Sequence, residues 1–389
     1  MAGKHAAHGR DTDGDTRRSL RVPLIIVSAV VAVAAVAVAV VVAPKLGSNK
    51  AASAPVPVAS GSNAADVAGP LTLVAISPAN TATDVPSDAS ITAQFSEPLA
   101  ADSPTPTLTP AVAGSWQLLT PTTFTFVATA PFVPSSSEAI TIPATVASAD
   151  GKTLGTPVTS HFSVAAGSTL RLQQLLATLG YLPLDFTPAA PLSAPQEAAN
   201  AQPGTFSWRW TEPNALESLW TEGASNTISR GAIMAFESQH GLTTDGSAGP
   251  AVWTALLAAA AAGTTDPAPY DYVYVSESLP ETATVYSNGA EVYSTLANTG
   301  VAGAETGVGT FPVYERFRST TMTGTNPDGS KYSDPGIPWV SYFNGGDALH
   351  GFVRGSYGFP QSDGCVEMPP SHAEVVYPLT PIGTLVTVS

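Results

Sequence analysis

The chain has 389 residues, 44% of them hydrophobic and only 12% charged. That is length for two to four domains and apolar material for real cores, which excludes a wholly disordered chain. Residues 51–389 hold 8 Lys and Arg against 27 Asp and Glu, a net of −19, and a phosphate-backbone partner needs a basic footprint, so nucleic acid is excluded.

Residues 1–21 carry Lys4, Arg10, Arg17, Arg18 and Arg21, and Val22 to Ala43 follow without a charge. About 22 mostly apolar residues suffice for a helix across a ~30 Å hydrocarbon core. The basic flank predicts an N-terminus in the cytoplasm and export of everything after Ala43. A cleaved signal peptide has a shorter apolar run, ~7–15 residues, and no convincing small-residue cleavage site precedes Pro44. The expectation is an uncleaved single-pass anchor over 22–43. Residues 44–68, rich in Ala, Ser, Pro, Gly and Asn, read as a linker.

Residues 69–166 read as all-β. Ala89 to Phe95, Thr122 to Val127 and Ala139 to Ile142 are short strands separated by Pro and Gly clusters at sandwich-like spacing. The runs Ser77-Pro78-Ala79-Asn80, Asp84-Val85-Pro86 and Ile91 to Pro98, with the close Ala149-Asp150-Gly151-Lys152 … His161-Phe162-Ser163-Val164, resemble bacterial Ig-like domains. The resemblance implies a β-sandwich acting as a spacer, with His161 as an ordinary strand residue.

Residues 167–262 switch to helix. Leu170, Leu172, Leu175, Leu176 and Leu179 follow helical spacing and Gly180 supplies the stop. A second helix is predicted over Gly231 to Leu242, and a third over Ala251 to Ala262 after the turn Thr244 to Pro250. The segments Leu179-Gly180-Tyr181, Ala235-Phe236-Glu237 … Gly241-Leu242 and Asp245-Gly246 … Gly249-Pro250 … Trp253 resemble a small three-helix peptidoglycan-binding domain. That resemblance implies a glycan partner. This copy departs from it by roughly 45 inserted residues, Leu182 to Thr227, which include Trp208, Trp210 and Trp220. Two uses of those tryptophans stand: stacking on sugars, or core and interdomain packing. His240, before a helix-ending Gly, reads as a cap that complements the helix dipole.

Residues 263–269 read as a linker and 270–389 as β-rich. Ala283 to Tyr293 is a hairpin around Asn288-Gly289, a pair that accepts the positive φ of a type I′ turn. Gly309 to Tyr314 is a strand whose Pro312 places it at an edge or a strand start. Thr384 to Val388 is a terminal strand. Ser319 to Gly336, with Pro327-Asp328-Gly329, reads as a loop forming a mobile lid.

Cys365 is the sole cysteine and follows His350 by fifteen residues. It cannot form an intramolecular disulfide, and on an oxidising side of a membrane an odd cysteine needs a reason. A thiolate is a nucleophile, and an imidazole can hold its proton and return it to a leaving amine. Asp363-Gly364-Cys365 is turn chemistry that can aim backbone N–H groups at a substrate oxygen, worth ~3–4 kcal/mol per donor. A buried, inert thiol is the other reading of the same residues.

His350-Gly351 … Ser362-Asp363-Gly364-Cys365-Val366 resembles the signature of the L,D-transpeptidase (YkuD-type) catalytic domain. Gly309-x-Phe311, Trp339 to Phe343 and Ile382 to Val388 support it in the right order. The resemblance implies Cys365 as acyl-forming nucleophile, His350 as general base, Gly351 as the carbonyl that orients it, and the N–H groups of Asp363, Gly364 and Cys365 as an oxyanion hole. Arg354, Ser362, Tyr342 and Trp339 are the substrate-binding candidates, Arg354 through a bidentate grip on a carboxylate or else as an ordinary surface residue. His372 reads as surface. Two departures stand out: Asp363 replaces the family's usual His, and Glu367 its usual Arg or Asn. The resemblance implies peptidoglycan stem peptides as substrate, 3→3 cross-links with release of D-Ala, and no cofactor. L,D-carboxypeptidase, protein-attachment and non-catalytic wall-binding readings remain beside it. Neither zinc-ligand spacing nor a phosphate loop is found in the sequence, so no metal or nucleotide is expected.

Overall fold

The structure, a computed structural model, describes residues 70–211 and 214–389. The expected tail (1–21), membrane helix (22–43) and linker (44–68) lie outside the described residues. Among those described, no helix is long and apolar enough to cross a membrane. The longest have 13 residues, against the ~20 that a bilayer core demands. The expected fold class is corrected on this point: it is a multidomain, β-rich chain with a few helices.

The first region contains β1 (Leu73–Ser77), β2 (Ala82–Val85), β3 (Ile91–Phe95), β4 (Thr107–Thr109), β5 (Gly114–Thr120), β6 (Thr123–Ala128), β7 (Ser137–Ile142) and β8 (Val158–Val164). They form two four-stranded sheets, ordered β1-β3-β6-β5 and β2-β8-β7-β4. Alternating residues of both sheets, among them Ile91, Phe95, Phe124, Ile140 and Phe162, share one core. His161 lies exposed on β8.

The helical region opens with α1 (Thr169–Thr178), capped by Ser168, whose Oγ accepts the Arg171 N–H at 3.1 Å. The insert folds as the hairpin β9 (Leu184–Pro188) and β10 (Gly204–Trp208), a 3-10 turn over Pro195–Ala199, and α2 (Asn214–Glu217). Then come α3 (Thr227–Gln239) and α4 (Pro250–Ala262). Helix α3 starts four residues before the expected Gly231, because Asn226 caps it by accepting from Ser229 N at 2.8 Å. His240 Nδ1 donates to the Phe236 carbonyl at 2.9 Å, satisfying the helix end. Trp208 and Trp220 pack on the helical core. Trp210 lies against Gly289 and Tyr270, so this tryptophan packs between modules.

The last region contains β11 (Asp271–Ser276), β12 (Thr282–Ser287), β13 (Ala290–Leu296), β14 (Gly309–Pro312), β15 (Glu315–Thr325), β16 (Lys331–Asn344), β17 (Asp347–Gly351), β18 (Val366–Met368), α5 (Pro370–Val376) and β19 (Leu385–Val388). One sheet runs β13-β12-β11-β19-β14, the other β15-β16-β17-β18. Asn288 and Gly289 take φ of 47° and 77°, as a type I′ turn requires. Pro312 ends the edge strand β14. The expected loop over 319–336 is instead most of a long hairpin, β15 against β16, closed by a turn in which Asn326 N donates to Ser330 O at 2.9 Å. Its β-branched Thr residues favour extended backbone although their polarity resembles a loop.

The helical region is not loosely tethered. One buried cluster runs from Leu176, Phe236 and Trp253 into Tyr272 and Leu385 of the five-stranded sheet. The expected linker is pinned, with Asp266 N donating to Leu179 O at 2.7 Å and Gln239 Nε2 to Asp266 Oδ2 at 3.0 Å.

Candidate active site

Strands β17 and β18 pair in parallel, with Leu349 opposite Val366 and His350 opposite Glu367. Cys365 immediately precedes β18. The period of two then sends His350, Phe352 and Arg354, and Cys365 and Glu367, to one side. All five line a cavity of about 310 Å³ that also meets Tyr332 of the hairpin arm.

His350 is 3% exposed. Its Nδ1 donates to the Gly351 carbonyl at 3.1 Å, which leaves the lone pair on Nε2. Burial lowers its pKa, outweighing the Gly351 bond and the Glu367 charge that raise it. The ring is therefore neutral, and able to accept a proton, at neutral pH.

The turn before Cys365 depends on glycine. Gly364 has φ +112°, and a Cβ there would lie 2.8 Å from Asp347 Oδ1. Ser362, 1% exposed, donates through Oγ to the Cys365 carbonyl and accepts the Gly364 N–H at 3.2 Å. Two expectations change here. Ser362 braces the turn from inside and is not placed to meet substrate. The Gly364 N–H, expected to face an oxyanion, is directed to Ser362.

The thiol of Cys365 points to the Gly346 carbonyl at 3.7 Å and not to the imidazole. Burial pushes its pKa up to about 12, the Ala348 N–H opposes this, and the charges of Asp347, Glu367 and Asp363 add to it.

Arg354 grips a carboxylate bidentately, but the carboxylate belongs to the protein. Its Nε and Nη2 donate to Glu367 Oε2 and Oε1, each at 2.8 Å, and Nη2 also to the Gln361 carbonyl at 3.0 Å. Arg354, expected to bind substrate, and Glu367, which stands where the resemblance leads one to expect Arg or Asn, are thus one ion pair. Tyr342 packs beside Cys365 and Val340. Trp339 does not: it points to the other face of β16, against Tyr377 at 5.6 Å between ring centroids. His372 on α5 is half-buried, its Nδ1 within 3.0 Å of Tyr293 Oη.

Three neighbours of the thiol escaped the sequence reading. Asp347 accepts from Gly307 N at 3.1 Å and Asn344 Nδ2 at 3.2 Å; in sequence it looked like part of a Gly-rich turn. Tyr332 reaches the cavity from the hairpin arm and Phe352 from beyond β17. Strand alternation from His350 was the available signal for Phe352.

No curated protein matches the chain. Among solved structures it is similar to an L,D-transpeptidase from Mycobacterium smegmatis, at 13% identity over 82% of this chain and 100% of that one, with a TM-score of 0.28. L,D-transpeptidase 3 from Mycobacterium tuberculosis matches at 13% identity over 82% and 98%, with a TM-score of 0.29. The catalytic domain of an Enterococcus faecium L,D-transpeptidase matches at 26% identity over 30% and 95%, with a TM-score of 0.28. By family, residues 67–164 match a bacterial Ig-like domain and residues 270–388 match the L,D-transpeptidase catalytic domain.

Proposed function

We propose that the protein is a cell-wall L,D-transpeptidase that forms 3→3 cross-links between peptidoglycan stem peptides through a thioester on Cys365. The observation that carries this reading is the His350 ring, held by the Gly351 carbonyl with Nε2 free, lining one cavity with the chain's sole cysteine. As Cys365 Sγ attacks the carbonyl of the third stem residue, its proton passes to His350 Nε2. The C–N bond to D-Ala then breaks and that proton leaves on the amine. An amine from a second stem attacks the thioester, the C–S bond breaks, and the thiol is restored through the same imidazole. The N–H groups of Asp363 and Cys365 would receive the developing oxyanion. The helical region would hold the wall polymer nearby, a reading that α1, α3, α4 and the turn before α4 support.

One observation favours a second reading, a wall-binding relative without chemistry. Three carboxylates press Cys365 toward the protonated thiol. Mass spectrometry of muropeptides after incubation of residues 67–389 with tetrapeptide stems, beside Cys365→Ala, separates the readings. Free D-Ala with 3→3 dimers, both lost in the variant, supports the transpeptidase. Tripeptide without dimers makes it a carboxypeptidase. Absence of D-Ala release from folded protein leaves the scaffold.

A further inference from the structure

Helix α1 begins with an arrangement that ordinary helix electrostatics disfavours. Ser168 caps it, and the third helical residue, where a Glu or Gln would complete a capping box, is Arg171. The first turn holds no acid, so a guanidinium stands at the positive end of the helix dipole. Arg171 is also buried, at 8% exposure. Its Nε donates to the Ala198 carbonyl at 2.8 Å and its Nη1 to Gln174 Oε1 at 3.4 Å, both neutral partners. Among the described residues the ion pairs join Lys152 to Glu97, Arg209 to Asp185 and Arg354 to Glu367. Arg171 has no such partner, and burial lowers its pKa with no neighbouring charge to offset it. A buried cation without a counter-charge is costly in a folded protein.

Arg171 lines a cavity of about 560 Å³ that the insert builds over α1 and α4. Phe186, Leu192, Pro195 and Leu257 give it apolar walls, and Thr178 and Gln202 place polar groups among them. The cavity lies outside residues 270–388 and shares no lining residue with the Cys365 cavity.

We propose that this cavity binds the C-terminal carboxylate of a peptide whose last residues are small and apolar. Arg171 receives the carboxylate with the N–H groups that Ala198 and Gln174 leave unused, and the helix N-terminus adds to the attraction. The apolar walls take the terminal side chains, and Thr178 and Gln202 meet the peptide amides. A free phosphate would leave those walls wet. Thr178 Oγ1 donates to the Gln174 carbonyl at 2.8 Å and Gln202 Nε2 to the Asn200 carbonyl at 2.7 Å, so the acceptor capacity left on both side chains suits peptide N–H groups, which a fatty acid lacks. The site is independent of the Cys365 chemistry.

The test is isothermal titration of residues 67–389 with N-acetyl-Ala-Ala, its C-terminal amide, and octanoate. The free acid is expected to bind at millimolar or tighter affinity, at least about tenfold better than the amide. Arg171→Gln should abolish the difference. Because Arg171 also holds Ala198, Ala260→Phe serves as a second variant: it fills the cavity from α4 without touching Arg171, and should abolish binding. Equal binding of acid and amide, octanoate binding tighter than the dipeptide, retention of acid binding in both variants, or no acid binding at millimolar concentration would each overturn the proposal.

Discussion

The Arg354–Glu367 pair allows a prediction whose size follows from its geometry. Glu367 is 5% exposed and lies opposite His350 in the parallel ladder, and both of its oxygens are held at 2.8 Å. Arg354→Met strands that carboxylate. A buried ion left unpaired costs about 3–5 kcal/mol, with the lower end apt because the Arg354 side chain is 30% exposed and water can reach the gap, so about 3 kcal/mol is expected at pH 7. Native-state hydrogen exchange of Leu349–Gly351 and Val366–Met368 amides reads this locally. Exchange should quicken by about 100-fold at pH 7. The double variant Arg354→Met/Glu367→Leu removes the stranded charge and should regain most of the protection. A single variant that exchanges within about threefold of the parent at pH 7, or a double variant no better than the single, would refute the reasoning.

Three further outcomes are expected. Asp363→Asn removes one of the charges that raise the Cys365 pKa, so iodoacetamide alkylation at pH 8 should quicken roughly three- to tenfold at low salt; an unchanged rate would mean that Asp363 does not bear on the thiol. Glu237, 1% exposed, is raised by burial from 4.5 to about 7 while accepting the Gly246 N–H at 2.9 Å. The folded chain thus holds a proton there that the unfolded chain releases, and the stability from it, complete below 4.5, is lost as pH rises through 7; the ceiling is about 3 kcal/mol. Denaturant melts should show Glu237→Gln flattening the fall between pH 5 and 8, and an unaltered slope would exclude Glu237 as its source. Gly231→Ala brings a Cβ to 2.6 Å from the Gly383 carbonyl and 2.8 Å from Leu385 Cδ2, so α3 must shift off the loop before β19, at about 1–3 kcal/mol. A thermal shift assay should show a lower midpoint, and an unchanged one would mean that the seam yields.

How much of this was legible in the sequence depends on how far each signal travels. The Asn288-Gly289 turn, the strands β3, β6 and β7 and the dipole-facing His240 were readable because each rests on residues a few positions apart. That Cys365 and His350 line one cavity was readable because residue type restricts the chemistry so strongly. What pairs Arg354 with Glu367 is the register of two strands joined by a fourteen-residue excursion, and no local pattern encodes it. Trp339 was misjudged because an aromatic near a site in sequence shares its face only if the strand's parity agrees, and β16 puts Val340 and Tyr342 toward the thiol instead. The arm over 319–336 resembled a loop because neither of its faces is apolar enough to show a period. The membrane helix rested on hydropathy alone, over residues that lie outside those described, and the short helices that are described have no such role.

The same distinction bears on Asp363, which stands where the resemblance leads one to expect a histidine. The Asp363 side chain is exposed, while the turn is held from beneath by Ser362 and shaped by the +112° φ of Gly364. What position 363 is proposed to give an oxyanion hole is a backbone N–H, which any side chain except proline retains. What the replacement changes is charge. It adds an anion to Asp347 and Glu367 around a thiol that burial already disfavours as a thiolate. On the proposed function, a thiol held so far toward its protonated form would lose its proton during attack and not before it, and His350, buried and with Nε2 unprotonated, is the residue proposed to take it.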